Sequence, residues 1–407
     1  MSMDTINNSF GLDDIHLGEV EISPLDEKET ENEKVNVRMT AIGLSGSGKT
    51  CYIMGMYDQM VNGLEGFKLN TSNQKAKQLN NMIDNLEDED LSMDRFPAGT
   101  SLNDVIDYEF DLSHNEKKIM SFVWADYGGG ILEDMGEFTG DVYSGLEKSI
   151  ENSCAMCIFI DGELLCYEET EKKIKKTRKC ARRINPFISK LASAHGDTLP
   201  PIVFVITKSD LCAPYLSGID EIREVIAANF SSVYLNESPS YIVPVTLGNH
   251  ISDDDYTGEA EPDMYLPFFI GLYHEYLGIC QWLKSDILAE NERNRNAIAE
   301  AQNNIYDSNN RIRELENQNY AESNKWFFFK NKNKIRANED AIETRNQEIA
   351  EYNQFISAGT DRIKENEEAL EFYRRLLKEV ADQLLSESYK FITIQKGERI
   401  KFRTEAI

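Results

Sequence analysis

The sequence predicts an α/β chain with a long helical appendage, and three observations carry that reading. From Val35 to about Trp282, strand-like apolar runs alternate with helix-patterned ones, the pattern of crossover units and a mainly parallel sheet covered on both faces. Residues 43–50 read G-L-S-G-S-G-K-T, directly between a strand-like run and a helical one. Beyond Trp282, Gly and Pro nearly vanish, and an apolar residue recurs at every seventh position.

Composition bounds the function classes. The 407 residues are 41% hydrophobic, enough for a core, and their number fits two structural units or one domain with a large appendage. With 71 Asp+Glu against 43 Lys+Arg the net charge is −28, which excludes a protein that coats nucleic acid, because phosphate binding runs on Lys and Arg. The longest apolar runs, at 154–160 and 202–206, are strand-sized. The opening MSMDTINNSFGLDD lacks the basic and apolar regions of a signal peptide. Seven scattered Cys include one close pair, Cys154 and Cys157, which opens the run CAMCIFI and reads as buried strand cysteines. The five His form no ligand pattern. These features predict a soluble protein of a reducing compartment, hence cytoplasmic.

In chain order, residues 1–34 read as an acidic, mostly flexible tail, with one alternating piece, L-G-E-V-E-I-S, able to pair as an edge strand. Residues 35–283 form the α/β domain. Its strands are V-N-V-R-M-T-A-I-G, a neighbouring antiparallel pair at 104–125 joined by H-N-E-K-K, C-A-M-C-I-F-I-D-G, P-I-V-F-V-I-T and Y-I-V-P-V-T-L-G. Its helices start at Lys49, cover 71–89, the basic 170s and 180s and 217–230, and close with the apolar stretch 265–283. The segment 251–263 reads as an acidic loop.

Residues 284–386 carry the heptads. Ile335, Ile342, Ile349, Ile356, Ile363, Leu370, Leu377 and Leu384 recur every seventh residue, with Tyr352, Tyr373 and Val380 three positions later in their own heptads. Upstream, Ile298, Ile305 and Ile312 keep the period, with Ala301 and Leu315 as companions. Such a repeat is a coiled-coil seam. The short connector at 323–334 favours an antiparallel hairpin over a parallel intermolecular coil, with a longer arm on the order of 75 Å. Residues 387–407, which contain S-Y-K-F-I-T-I-Q-K-G-E-R-I-K-F-R-T at 388–404, read as a β-hairpin about a Lys-Gly turn.

The chemistry sits in four loops. G-x-x-x-x-G-K-T between strand and helix is a phosphate loop: glycines let N–H groups turn inward, and the helix N-terminus faces the anion. Its nucleotide-binding residues are Gly43, Ser45, Gly46, Ser47, Gly48, Lys49, Thr50 and Cys51, with Lys49 bridging the β- and γ-phosphates and the Thr50 hydroxyl ligating Mg²⁺. Asp126 opens D-Y-G-G at the end of a strand; its carboxylate would hold Mg²⁺ through water and the Gly129 N–H would meet the γ-phosphate. Thr207, Lys208 and Asp210 lie in T-K-S-D after the strand P-I-V-F-V-I. A carboxylate at 210 accepts from both N1–H and the exocyclic amine of guanine, whereas adenine would leave it unpaired. Thr246 and Leu247 end the next strand run, where a backbone N–H would meet the base O6.

These motifs in this order resemble the Ras-like, translation-factor-related class of P-loop GTPases over residues 35–283. The phrase F-P-A-G-T, the helix before it and the D-Y-G-G exit look most like bacterial double-GTPase-type domains, often found in conflict or defence gene clusters. The resemblance implies a six-stranded sheet, Mg·GTP and GDP as ligands, and two switch segments ordered by the γ-phosphate. It makes Thr100 the first-switch Mg²⁺ ligand, and Lys49, Thr100 and Gly129 the catalytic set. One departure stands out: Gly130 occupies the place of the water-orienting Gln, and Glu133, Asp134 and Glu137 are nearby substitutes between which sequence does not choose. Hydrolysis is therefore expected to be slow, partner-dependent or completed in trans. Arg178, Arg182 and Arg183 are either arginine fingers or part of a solvated basic face, E-K-K-I-K-K-T-R-K-C-A-R-R, which is the more economical reading.

At the hairpin connector, Trp326, Phe327, Phe328 and Phe329 stand among Lys325, Lys330, Lys332 and Lys334. They would fold back as a cap on the seam, anchor a protein partner or wedge into a membrane interface. The whole reads as a guanine-nucleotide switch whose coiled-coil arm contacts a protein partner or a second copy. The alternatives are a scaffold with a slowly hydrolysed nucleotide and a dynamin-like membrane protein.

Overall fold

Long runs of β-branched and aromatic residues become strands buried on both faces, and the rest of the fold is organised around them. The computed structural model describes residues 36–87, 96–97, 105–129, 140–194, 199–230, 238–247 and 264–404. The chain divides into the units Met1–Asn36 and Val37–Ile407, and it is the second that is described below. The acidic tail, its edge-strand piece and the 251–263 segment lie outside the described residues.

The strands are β1 (Asn36–Gly43), β2 (Phe67–Asn70), β3 (Val105–His114), β4 (Lys117–Tyr127), β5 (Ser153–Asp161), β6 (Ile202–Thr207), β7 (Ser240–Pro244), β8 (Ile392–Gln395) and β9 (Glu398–Ile400). The helices are α1 (Lys49–Val61), α2 (Asn73–Glu87), α3 (Gly140–Glu151), α4 (Thr170–Ala194), the single turn α5 (Ser209–Cys212), α6 (Ile219–Asn229), α7 (Leu266–Ser323) and α8 (Lys332–Ser386). Among the described residues these strands form one sheet in the order β2-β3-β4-β1-β5-β6-β7-β8-β9.

The expected mainly parallel six-stranded sheet is corrected to a mixed nine-stranded one. The centre, β1-β5-β6-β7, pairs in parallel, while β2-β3-β4 and β7-β8-β9 pair antiparallel. The reason lies in the connections. Two-residue turns cannot make a parallel crossover, and both edges carry such turns with positive φ at each central residue: Asn115 (48°) and Glu116 (64°), Lys396 (50°) and Gly397 (81°). The C-terminal hairpin is not a separate element, because β8 pairs with β7 through Tyr241 and Thr393. Strand β2 and helix α3 escaped the sequence reading. β2 is only four residues long, and its signal is just Phe67 and Leu69 on the buried face.

Period-two alternation splits the core between the faces. Phe159 faces a cluster with Met39, Tyr52, Trp124, Phe268 and Leu384, while Ile158 and Ile160 face Ile184, Phe204, Val225 and Phe230. Each such side chain contributes about 1.5–3 kcal/mol of burial.

The first turns of α7 lie in that core, from Leu266 to Cys280, and so do Leu376, Leu377, Val380, Ala381 and Leu384 of α8. His114 Nε2 meets Glu379 Oε2 at 2.6 Å and the Gln383 amide donates to Tyr265 Oη at 3.0 Å, so the base of the hairpin is tied to the sheet. Farther out, Glu290 accepts from Arg362 (3.3 Å), Arg295 donates to Glu367 (3.2 Å) and Asn338 donates to Asn319 (2.8 Å). Glu290 near the base thus pairs with Arg362 and Asn319 toward the tip with Asn338, so the helices are antiparallel. Seam residues are buried at the base (Leu370, Leu377, Leu384) and half-buried toward the tip (Ile335, Ile342, Ile349), because two helices cover a seam only partly. Among the described residues no helix is long and apolar enough to cross a membrane.

Candidate nucleotide site

The parallel centre of the sheet brings the carboxyl ends of β1, β5, β6 and β7 to one edge, where ligands of open α/β sheets bind. A cavity of about 460 Å³ opens there. The loop after β1, the end of β4, the turn after β5 and the loops after β6 and β7 surround it.

On the phosphate side, Gly46 (φ 76°) and Gly48 (φ 82°) hold left-handed backbone that bends the loop before α1. The first turn of α1 carries no acidic residue, so no side chain of the helix itself opposes an anion at its N-terminus. Lys49 is 6% exposed, and its ammonium donates to the carbonyls of Gly43 (3.0 Å) and Leu44 (3.3 Å). Burial lowers its pKa, and the Asp126 carboxylate works against that shift. The Thr50 hydroxyl donates to Asp126 Oδ2 at 3.0 Å, with Asp126 fully buried. A hydroxyl and a carboxylate at one spot are hard oxygen donors of the kind Mg²⁺ uses together with phosphate oxygens, so these residues fit that ion. Gly129 packs directly on the loop: a Cβ there would lie 2.0 Å from the Ser45 nitrogen.

The base side is stitched to the phosphate side. Thr207 Oγ1 donates to the Ser47 carbonyl at 3.0 Å and to Ile160 O at 3.3 Å. Thr246 Oγ1 donates to Asp210 Oδ1 at 2.9 Å, and Ser209 N donates to Val245 O at 3.1 Å, which holds the carboxylate against the loop after β7. Lys208 adopts left-handed backbone (φ 49°). Its ammonium meets Glu163 Oε1 (2.6 Å) and Asp161 Oδ2 (3.1 Å). Burial would lower the Lys208 pKa, but those two carboxylates outweigh it and the net shift is upward.

The cavity is lined by Ser45, Gly46, Ser47, Gly48, Lys49, Thr50, Cys51, Gly129, Thr207, Lys208, Asp210, Thr246 and Leu247. Gly43 and Asp126 stand behind the lining, joined to it through Lys49 and Thr50. Thr100, Gly130, Glu133, Asp134, Glu137 and Gly248 lie outside the described residues. Burial raises the Cys51 thiol to about 11, so it faces the cavity as a neutral group.

Sequence reasoning missed Glu163, Leu211, Val245 and Met264 on the lining, and Asp161 behind Lys208. The available signal was the D-G exit of β5: a Cβ at Gly162 would fall 2.3 Å from the Thr207 carbonyl. It also read the basic residues of the α4 segment as one solvated face. Arg178 and Arg182 are exposed, but Lys173 is fully buried and paired with Glu221.

The family model described as Double-GTPase 2 matches residues 38–241, half of the chain. No curated protein matches it.

Proposed function

The chain belongs to the Double-GTPase 2 family, and from that premise we propose that it binds GTP and GDP with Mg²⁺ in the cavity at the carboxyl edge of the sheet and hydrolyses GTP. The observation that carries this reading is the convergence of Lys49, Thr50 and Asp126 with Lys208, Asp210 and Thr246 around one cavity. In this reading the Lys49 ammonium exchanges two loop carbonyls for phosphate oxygens, joined by N–H groups at the start of α1. Thr50, Asp126 and Thr100 hold Mg²⁺, which neutralises charge on the phosphates when bound. Asp210, oriented by the Thr246 hydroxyl, accepts from guanine, and the Lys208 stem covers the base plane. Gly129, seated on Ser45, is positioned to sense the γ-phosphate.

The nucleotide state reaches the arm through a short route. Met264 lines the cavity and α7 begins two residues later. A Cβ on Gly55 of α1 would lie 2.7 Å from both Met264 and Leu247. The hairpin then acts as a lever whose position follows nucleotide state, toward a protein partner or a second copy.

Isothermal titration with GTP, GDP and ATP in Mg²⁺ tests the binding reading. GTP and GDP are expected to bind and ATP to bind at least about 10³-fold more weakly, with binding lost in Lys49→Ala. Equal affinity for ATP and GTP removes the guanine assignment. Phosphate release by wild type and Thr100→Ala tests hydrolysis.

A further inference from the structure

The aromatic connector is not used by the fold. Glu322, 6% exposed, closes the hairpin end by itself: its carboxylate accepts from Asn331 N at 2.9 Å and from Lys325 Nζ. Asn331 in turn caps α8 through Lys334 N at 3.1 Å. Trp326, Phe327, Phe328 and Phe329 are left 80%, 75%, 87% and 74% exposed, so they do not cap the seam. They are nevertheless set in a defined turn. Phe327–Phe329 form a 3₁₀ turn with Phe329 N bonded to Trp326 O at 2.8 Å, Phe327 and Phe328 meet edge to face, and the Lys332 ammonium lies over the Phe327 ring. Tyr320, one turn below, is 73% exposed.

Charge separates this tip from the rest of the chain. From Ser323 to Asn338 there is no carboxylate, while Lys325, Lys330, Lys332, Lys334 and Arg336 are cationic, in a protein of net charge −28. A second copy would bring like charges together, tip to tip. An anionic lipid surface matches on both counts: rings enter the headgroup boundary, and flanking ammoniums stay with phosphates. The carboxylate-rich body is no obstacle. Ser323 lies about 65 Å along α7 from Cys280, its last residue in the sheet core, many times the ~8 Å screening length of physiological salt.

We propose that the hairpin tip is a peripheral binding site for an anionic lipid bilayer, with Trp326, Phe327, Phe328 and Phe329 as its inserting residues and Lys330, Lys332 and Lys334 as its phosphate contacts. This site is independent of the nucleotide reading. The test is co-sedimentation of the full chain, GDP present, with phosphatidylcholine vesicles lacking or containing about one third phosphatidylserine. Binding is expected only with phosphatidylserine, falling about tenfold or more in Trp326→Ser/Phe328→Ser and in Lys330→Glu/Lys332→Glu, and weakening between about 0.1 M and about 0.5 M salt. In a Trp282→Phe background, where the other emitter is the fully buried Trp124, the exposed Trp326 component of the emission should shift to the blue on binding. GDP affinity of each variant, read separately, should match wild type, so failure here is distinct from failure of the nucleotide site. No vesicle binding, equal binding by the tip variants, or equal binding to neutral vesicles overturns the proposal. So does a tip variant that changes only the chain's own sedimentation, which would assign the tip to self-association.

Discussion

The buried pair between Lys173 of α4 and Glu221 of α6 offers the sharpest stability experiment, because its two ends are unequally supported. Lys173 is fully buried, and besides Glu221 its ammonium has, among the described residues, only the Tyr215 carbonyl at 2.6 Å. Glu221 also accepts from the Thr170 hydroxyl at 2.7 Å, the Ser217 N–H at 2.9 Å and the Ser217 hydroxyl at 3.1 Å. Glu221→Ala strands an ammonium in the interior and is expected to cost about 3–5 kcal/mol. Lys173→Met leaves a carboxylate that keeps three donors and is expected to cost about 1–2 kcal/mol. The double variant should cost less than the two together, since no stranded charge remains. Urea unfolding followed by circular dichroism, without nucleotide, measures all three. Equal costs for the single variants, or under about 1 kcal/mol for Glu221→Ala, would refute the reasoning.

The same pair predicts a pH signature. Burial alone would raise the Glu221 carboxyl, but hydrogen bonds from Lys173, Ser217 and Thr170 outweigh it and hold it at about 2 against an ordinary 4.5. A depressed carboxyl stabilises the fold fully above about pH 4.5 and loses that contribution as pH falls toward about 2. Tyr215 and Ser217 lie five and seven residues beyond Asp210, so the pair also anchors the segment that leaves T-K-S-D.

The remaining predictions concern the site and the arm. Gly129→Ala, whose Cβ would lie 2.0 Å from the Ser45 nitrogen and 2.4 Å from the Leu44 carbonyl carbon, should displace the phosphate loop; titration is expected to read about tenfold or more weaker GTP binding. Thr246→Val removes the donor to Asp210 and should weaken GDP by about fivefold, measured by fluorescent-nucleotide displacement. Burial holds the His274 imidazole down at about 4 from 6.5, with Tyr241 Oη 2.7 Å from its Nε2. A depressed imidazole stabilises the fold above about pH 6.5 and loses this as pH falls toward 4, so melting curves of His274→Gln should show a flatter decline over that window than wild type. Leu384→Ala, at a fully buried position where the arm meets the sheet core, should cost about 2–5 kcal/mol in urea unfolding; a negligible cost would mean that the base of the arm is not part of the core.

Sequence alone determined the parts that depend on neighbours along the chain. G-L-S-G-S-G-K-T must bend because its glycines precede a helix, the run C-A-M-C-I-F-I can only be a strand buried on both sides, and an unbroken seven-residue period fixes a helical seam. Tertiary structure decided what depends on residues far apart. It joined β8 and β9 to β7, which turned an expected parallel sheet into a mixed one. It placed Asp161 and Glu163 on Lys208, buried one lysine of a basic segment against Glu221, and left four aromatic rings in the open at the end of α7. Local spacing carries backbone geometry, because φ, ψ and periodicity are set within a few residues. Burial and charge pairing are set by whichever strand or helix comes to lie alongside, and no window of sequence contains that neighbour.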